Sequence, residues 1–380
     1  MTASGTNALL PAGLRDILAP DAAFEAAIVD RLMAELAAYG YDRVKPPLIE
    51  FEDSLLSGPG AALAAETFRL MDPVSQRMMG VRADMTVQVA RIAATRLRKA
   101  PRPLRLCYAG QVLRVKGSHL QPERQFGQAG AELIGAPSAS ADAEIALLAA
   151  SALGVLGIAD LTLDLTIPTL VPSLTQALGF GRDEGRALAL ALDRKDAAAV
   201  AALSGDHSKL FGELLAVTGP AGEATERLRR LELPDAAAAE RARLLEVAGL
   251  IRDVAPQLGL TIDPVEHRGI EYYTGVGFAL FARQARGELG RGGRYASGSG
   301  ESSTGFSVYL DSLLAALPPP VASPRLFLPQ GVAEAVAARL RSEGWVTVAG
   351  LVPVHDPVAE AKRQGCSHCF LAGGIEGIEE

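Results

Sequence analysis

Cysteine is scarce in this chain of 380 residues, which contains only three. Cys107, Cys366 and Cys369 form an odd and sparse set, which suits a reducing compartment better than a disulfide framework. The start of the chain also lacks the basic and apolar stretches of a secretory signal. We therefore expect a cytoplasmic protein.

Long hydrophobic runs are missing as well. The longest uncharged stretch, residues 165–181, is interrupted by Pro168 and Pro172. The most apolar stretch, residues 145–159, is shorter than the roughly 20 residues that a membrane-spanning helix needs. We expect no membrane span, and we interpret residues 145–159 as a buried helix.

The chain has no excess of positive charge. It contains 37 Lys and Arg against 44 Asp and Glu, which gives a net charge of −7. Such a protein has no overall attraction for polyphosphate, so binding of a nucleic acid would need a local basic patch. The hydrophobic content of 49% is that of a globular protein, and the length predicts two or three domains at roughly 150 residues per domain.

Apolar periodicity predicts an α+β fold. Residues 21–39 form an amphipathic pattern that ends at Gly40, which predicts a helix. Short β-like runs predict an antiparallel sheet, and they lie at residues 41–51, 67–70, 78–82, 104–115, 124–133, 161–167, 260–281 and 288–310. Residues from about 168 to 258 are rich in Ala, Leu, Arg and Glu, so we predict a helical insertion that interrupts this sheet. Turn residues predict breaks between its helices at 179–181, 205–206, 219–220 and 233–234.

A proline-rich stretch, residues 318–324, predicts a linker. It divides the chain into a large domain, residues 1–320, and a small C-terminal domain, residues 324–380. In the small domain, strand-like runs at 325–328, 345–349 and 368–372 alternate with helical patterns at 333–341 and 357–364. This order predicts a small α/β unit with a parallel sheet.

Cys366-Ser-His-Cys369 has the spacing of a zinc or redox motif. Tetrahedral zinc needs four ligands and the sequence has no second pair, while a redox pair normally opens a helix. We therefore predict buried thiols and no metal site. His119 and His267 are likewise interpreted as ordinary loop or strand residues rather than catalysts.

Polar side chains interrupt the predicted strands around residues 82–86, 114, 124–132 and 268–274. Gln128 and Glu132 stand four residues apart on one strand, so both point to the same face of the sheet. Asp84 and Thr86 are two apart and also share a face. An amino acid needs an acceptor for its ammonium group and a donor for its carboxylate, and these segments offer both. They predict an amino-acid site, although any one of these residues could instead be a solvated charge.

Glycines close to the last of these segments leave a second question open. Gly269, Gly292 and Gly293, the last two beside Arg294 and Tyr295, permit the close approach of a ligand to the backbone, or they mark a β-bulge.

The ordered motifs resemble the landmarks of a histidyl-tRNA synthetase catalytic domain over residues 10 to about 315. They are Pro11-Ala-Gly-Leu-Arg-Asp-Ile17, Tyr39-Gly-Tyr41, Arg82 to Thr86, Arg124-Gln-Phe with Gln128 and Glu132, Arg268-Gly-Ile-Glu-Tyr-Tyr-Thr274, and Gly292-Gly-Arg-Tyr295. The resemblance implies a class II aminoacyl-tRNA synthetase sheet of six antiparallel strands, flanked by helices and interrupted by a helical insertion.

The resemblance also implies roles for individual residues. Asp84, Thr86 and Gln128 would hold the ammonium end of histidine, while Glu132 and Tyr273 would contact its imidazole. Arg268 and Tyr272 belong to the histidine-specific segment. Arg114 and Arg124 would be remnants of a nucleotide site.

Two departures from the synthetase pattern argue against tRNA ligation. An acidic residue is expected two positions after Arg114, where this chain has Lys116, and an arginine is expected where it has Ser312. Serine lacks the charged planar fork that grips a phosphate. The tail after residue 324 is also too short for a full anticodon-binding domain of roughly 100 residues.

This pattern resembles the regulatory subunits of ATP phosphoribosyltransferase, which are non-catalytic paralogues of the synthetase. The resemblance implies no catalytic residues, no cofactor and no tRNA. It implies histidine as ligand, a short-form catalytic chain as partner, activation of that chain, and feedback inhibition by histidine in the first step of histidine biosynthesis. It further implies a self-dimer through the segment 45–50. A genuine histidine-tRNA ligase is the alternative, and the acidic net charge, Lys116 and Ser312 oppose it.

Overall fold

The structure is a computed structural model, which describes residues 10–117, 123–267, 272–298, 300–320 and 323–378. Its contacts divide the chain into two compact units, Met1–Pro318 and Pro319–Glu380. No helix in the described part of the chain is long and apolar enough to cross a membrane.

The large unit is built on one sheet with a smaller sheet beside it. Its strands are β1 Asp42–Arg43, β2 Ile49–Phe51, β3 Arg69–Met71, β4 Met78–Val81, β5 Leu104–Leu113, β6 Gln125–Ile134, β7 Leu161–Thr166, β8 Gly219–Pro220, β9 Gly259–Ile262, β10 Tyr273–Ala282, β11 Gly290–Ala296 and β12 Ser302–Tyr309. The helices are α1 Asp21–Ala38, α2 Glu52–Leu55, α3 Thr86–Thr95, α4 Ala139–Gly154, α5 Leu170–Ala177, α6 Arg182–Asp193, α7 Ala197–Leu203, α8 Ser208–Leu215, α9 Ala221–Arg230, α10 Asp235–Val254 and α11 Leu310–Ala316.

The main sheet has the strand order β1-β5-β6-β12-β11-β10-β7-β9-β8. Its six strands from β5 to β7 all pair antiparallel with their neighbours. Outside them, β1 runs parallel to β5 and β9 runs parallel to β7, which makes the whole sheet mixed. The predicted antiparallel sheet with a helical insertion is therefore confirmed, since β7 and β10 are neighbours although helices α5 to α10 separate them in sequence.

The prediction that residues 67–70 and 78–82 belong to this sheet is wrong. They form β3 and β4, which pair with β2 in a separate antiparallel sheet of order β2-β4-β3. The interpretation of residues 41–51 as a single strand also needs correction, because the Pro46-Pro47 step separates β1 from β2. Proline has no N–H to donate to a ladder. The freed carbonyl oxygens accept side-chain bonds instead, from Arg82 to Pro46 and from Gln88 to Pro47.

Alternation along the central strands separates the two faces of the main sheet. On β6, Ala129, Ala131 and Leu133 join the large core formed with α1, α4 and α10. The even-numbered side chains of the same strand face the other way, where Phe126 and Ile134 pack with Met85 and Val89 at the start of α3. Gln128 and Glu132 therefore share the face that α3 covers, as the sequence predicts.

The helical insertion breaks where the sequence indicates turns, at 179–181, 205–206, 219–220 and 233–234. One break was not predicted, the junction of α6 and α7. There Lys195 adopts a left-handed φ of 55° and the Asp196 side chain accepts a hydrogen bond from the Ala199 N–H, 3.0 Å away. This is an ordinary aspartate N-cap without any glycine or proline to mark it.

The small unit contains strands β13 Arg325–Leu328, β14 Val346–Ala349, β15 His368–Leu371 and β16 Gly374–Gly377, with helices α12 Glu334–Ser342 and α13 Pro357–Arg363. The predicted parallel strands are present in the order β14-β13-β15. Strand β16 was missed, and it pairs antiparallel with β15 through a turn in which Ala372 and Gly373 both have positive φ. Cys366 and Cys369 are buried in the core beneath α13, as predicted.

The segment 45–50, where the sequence predicts self-association, leads into β2, an edge strand of the β2-β4-β3 sheet. Leu48 and Ile49 are exposed there. Self-association through it stays a prediction.

Candidate functional site

The α3 face of the main sheet contains a small cavity of about 40 Å³. Strands β6, β10, β11 and β12 provide its floor, and the residues that precede and begin α3 provide one side. Its lining residues are Asp84, Thr86, Glu132, Tyr272, Tyr273, Arg291, Gly293, Tyr295, Gly305, Phe306, Ser307 and Tyr309. Five of the seven residues predicted to bind histidine are among them: Asp84, Thr86, Glu132, Tyr272 and Tyr273.

Glu132 lies at the bottom of this cavity with only 1% of its surface exposed. The Tyr295 hydroxyl donates to its Oε2 at 2.8 Å, and the Tyr108 hydroxyl donates to its Oε1 at 3.3 Å. Burial raises the pKa of Glu132 to about 8, although the Tyr295 hydroxyl works in the opposite direction. A Cβ atom on Gly305 of the adjacent strand would overlap the Glu132 carboxylate, so glycine is needed there.

The Asp84 carboxylate connects β4 to α3 and to β6. Its Oδ1 accepts the Thr86 N–H at 2.7 Å, which satisfies a free donor in the first turn of α3. Its Oδ2 accepts Gln128 Nε2 at 2.8 Å, and Gln128 Oε1 accepts the Met85 N–H at 2.9 Å. Gln128 is therefore not among the lining residues and holds the Asp84 carboxylate in place, while its predicted contact with the ligand stays a prediction.

Ser307 connects the two ends of the site and was not predicted. Its Oγ accepts Gln128 Nε2 at 2.8 Å and lies 2.9 Å from the Tyr108 hydroxyl. The Tyr108 hydroxyl in turn lies 3.1 Å from Thr86 Oγ1. Asp84 and Glu132 are thus joined by one chain of hydrogen bonds through buried hydroxyl groups, and such chains hold their members in fixed orientations.

Aromatic rings cover the side of the cavity formed by β10 and β11. Tyr272 and Tyr273 are in edge contact with ring centroids 4.7 Å apart, and the Tyr272 ring lies 6.2 Å from that of Tyr295. Burial raises the pKa of both Tyr272 and Tyr273, which keeps these hydroxyls protonated as donors. A Cβ at Gly293 would meet the Tyr273 ring at 2.6 Å, so glycine is needed here for the ring to pack on the strand, and the predicted approach of a ligand stays a prediction.

Arg294, which follows Gly293, points to the other face of the sheet. It lies buried against Asp142 of α4, with Nη2 at 2.7 Å from Oδ1. Arg243 of α10 pairs with the same carboxylate at 2.9 Å. Arg294 therefore ties β11 to the helical layer and takes no part in the cavity.

The two predicted nucleotide-site residues are also outside the cavity lining. Arg114 lies 3.3 Å from Glu66 Oε2, with its guanidinium over the Phe126 ring. Arg124 donates to the Arg114 carbonyl at 3.3 Å and to the Ala12 carbonyl at 3.2 Å. Arg268 and His119 lie outside the described residues.

Comparison with known proteins shows which class this fold and site define. Residues 13–313 match the histidyl-tRNA synthetase family. A solved structure of an ATP phosphoribosyltransferase regulatory subunit/histidyl-tRNA synthetase from Bacillus halodurans superposes with a TM-score of 0.82 at 24% identity, covering 94% of this chain and 97% of that one. The histidyl-tRNA synthetase of Nostoc sp. PCC 7120 gives a TM-score of 0.81 at 18% identity, covering 97% and 92%. The fold is that of a histidyl-tRNA synthetase-like protein, which confirms the predicted fold class.

Relatives of higher sequence identity show to which family within this class the chain belongs. The ATP phosphoribosyltransferase regulatory subunit of Rhodospirillum centenum is 58% identical over 99% of this chain and 98% of its own length. That of Paramagnetospirillum magneticum is 57% identical over the whole of both chains. The chain belongs to the family of ATP phosphoribosyltransferase regulatory subunits. The family predicted from the sequence is therefore confirmed, and these relatives do not favour the alternative of a tRNA ligase.

The raised pKa of Glu132 predicts a dependence of stability on pH. Between its ordinary pKa of 4.5 and about 8, the folded protein holds a proton that the unfolded chain has released. The stabilisation of the folded protein that comes from this protonated carboxyl is therefore fully present below pH 4.5. It is lost as the pH rises towards 8. Glu132→Gln cannot lose this proton. Between pH 5 and 8, the free energy of unfolding of the variant minus that of the wild type should therefore increase by up to about 1.4 kcal/mol per pH unit.

Urea unfolding at several pH values measures this difference. Glu223→Gln, on an exposed face of α9, is the matched control and should give a curve parallel to that of the wild type. A parallel curve for Glu132→Gln would contradict the buried, protonated carboxyl.

Proposed function

We propose that this chain is the non-catalytic, histidine-sensing partner of a short-form ATP phosphoribosyltransferase catalytic chain, and that histidine binds at Glu132. Family membership supports the regulatory role. The observation that carries the histidine assignment is the buried Glu132 carboxyl, held by two tyrosine hydroxyls at the bottom of a cavity that also contains Asp84. In this role the chain activates the first step of histidine biosynthesis and makes it sensitive to the end product.

The groups of the cavity match the groups of histidine. A ring nitrogen of the imidazole forms a further hydrogen bond with the buried Glu132 carboxyl, while the ammonium group pairs with Asp84. Thr86 lies beside Asp84, and the rings of Tyr272 and Tyr273 flank the space between. An aliphatic amino acid forms no hydrogen bond with Glu132, so it lacks the roughly 0.5 to 1.5 kcal/mol that such a bond contributes. Such a site rejects ligands that lack a ring N–H.

The small volume of the cavity means that part of its lining must move before a ligand can bind. At about 40 Å³ it is far below the roughly 300 to 1,000 Å³ of usual ligand cavities. Binding therefore requires the rings of Tyr272 and Tyr273 to move outwards from the Glu132 carboxyl. Tyr273 begins β10 and Tyr272 directly precedes it, so their displacement gives the sheet a way to report that histidine is bound.

We infer further that the site does not activate histidine with ATP. By resemblance, Lys116 and Ser312 stand where a synthetase has an acidic residue and an arginine. Arg114 is paired with Glu66 and packed on Phe126, outside the cavity lining. Fixed cationic donors at a phosphate are usually the largest single contribution to catalysis of such transfers.

Purified protein should therefore show no histidine-dependent exchange of pyrophosphate into ATP above background. A histidyl-tRNA synthetase assayed in parallel is the positive control. Robust exchange by this chain would contradict its non-catalytic assignment and restore the tRNA ligase alternative.

Substitutions in the cavity should weaken the binding of histidine more than substitutions in the former nucleotide site. Glu132→Ala and Tyr273→Phe each remove a group that faces the imidazole, so each should lower the affinity by roughly 5- to 150-fold. Arg114→Ala is the control, since its guanidinium lies outside the cavity lining, and it should bind histidine like the wild type.

Calorimetric titration of histidine into the three variants measures the affinities. If the wild type binds histidine and all three variants bind it with the same affinity as the wild type, histidine binds at a different site.

A further inference from the structure

The cavity contains one cation among its described lining residues, and the sequence analysis predicted no role for it. Asp84 and Glu132 supply its negative or ionisable acid groups, and Arg291 is the basic side chain. An amino acid brings a carboxylate as well as an ammonium group. A site that accepts both needs a donor for the carboxylate within reach of the other two contacts.

Strand register places Arg291 close to the predicted ligand contacts. In the antiparallel ladder, Arg291 of β11 pairs with Ser307 of β12, which pairs with Gly130 of β6. Glu132 belongs to the next row of this ladder on the same face, with Gly305 and Gly293. Arg291 is thus two strands and one row from Glu132. At roughly 4.8 Å per strand and 6.6 Å per two residues, its side chain can reach over the space above the Glu132 row.

Glu288 holds the Arg291 side chain but uses only one edge of it. Arg291 Nε donates to Glu288 Oε1 and Nη2 donates to Oε2, each at 2.6 Å. Arginine has five N–H donors, so this side-on pairing leaves those of Nη1. Within the described part of the chain, no acceptor bonds to Nη1. Glu288 therefore fixes the orientation of the guanidinium, while Nη1 can still donate to a ligand. The Arg291 side chain is 36% exposed and lines the cavity.

We propose that Arg291 receives the carboxylate of the amino-acid ligand through its free Nη1 edge, with Glu288 as the positioning residue behind it. This proposal rests on the proposed histidine site and specifies it further. It makes the cavity selective for amino acids over the corresponding amines, because an amine leaves the Arg291 donors without their charged partner.

Histamine is the probe that separates this role from a structural one, because it keeps the imidazole and the amine but lacks the carboxylate. Histidine and histamine are titrated by calorimetry into the wild type, Arg291→Gln and Arg286→Gln. Arg286 is exposed in the same β10–β11 turn and has no place in the cavity lining, so its variant controls for the lost charge.

Arg291→Gln should lower the affinity for histidine by roughly 10- to 100-fold, leave histamine binding unchanged, and so reduce the discrimination between the two ligands by the same factor. Arg286→Gln should behave like the wild type. Unchanged histidine binding in Arg291→Gln, or an equal loss for both ligands, would overturn the proposal and assign Arg291 a structural role. If the wild type itself fails to bind histidine, the proposed histidine site fails instead.

Discussion

Burial of the Glu132 carboxyl is the constraint on which the rest of the site depends. A charged carboxylate in this position is costly, and the protein meets that cost with a raised pKa and with hydroxyl donors from Tyr295 and Tyr108. Each donor is itself held by its surroundings. Tyr108 belongs to the hydroxyl chain with Ser307 and Thr86, and Gly305 provides the space. The Glu132 carboxyl is thereby held in one position at the bottom of the cavity.

The site also depends on the opposite face of the sheet. Strand β11 carries Arg291, Gly293 and Tyr295 towards the cavity, while Arg294 between them reaches into the helical layer and pairs with Asp142. A buried pair broken on one side is costly, so this contact fixes the position of β11. One strand therefore serves both the packed core and the lining of the cavity, because its side chains alternate between the two faces of the sheet.

Local signals in the sequence were enough to predict much of this arrangement. Alternation on β6 predicted that Gln128 and Glu132 share a face, and the turn residues of the insertion predicted most of its helix breaks. The prediction failed where the structure depends on contacts between segments that are far apart in the sequence. Short strands such as β3 and β4 look alike whichever sheet they join, and nothing local distinguishes Ser307 from any strand serine. Only the register of β6, β12 and β11 brings Ser307 and Arg291 to the cavity.

The central claim is that histidine bound at Glu132 controls a partner enzyme. The most direct measurement is the phosphoribosyltransferase activity of a short-form catalytic chain, alone and mixed with wild-type protein or with Glu132→Ala, as a function of histidine concentration. We expect the wild type to raise the activity and to make it inhibitable by histidine. In the Glu132→Ala complex, half-inhibition should need roughly 5- to 150-fold more histidine, in proportion to the lost affinity. Unchanged activity on mixing with the wild type, or equal inhibition of both complexes, would contradict the account.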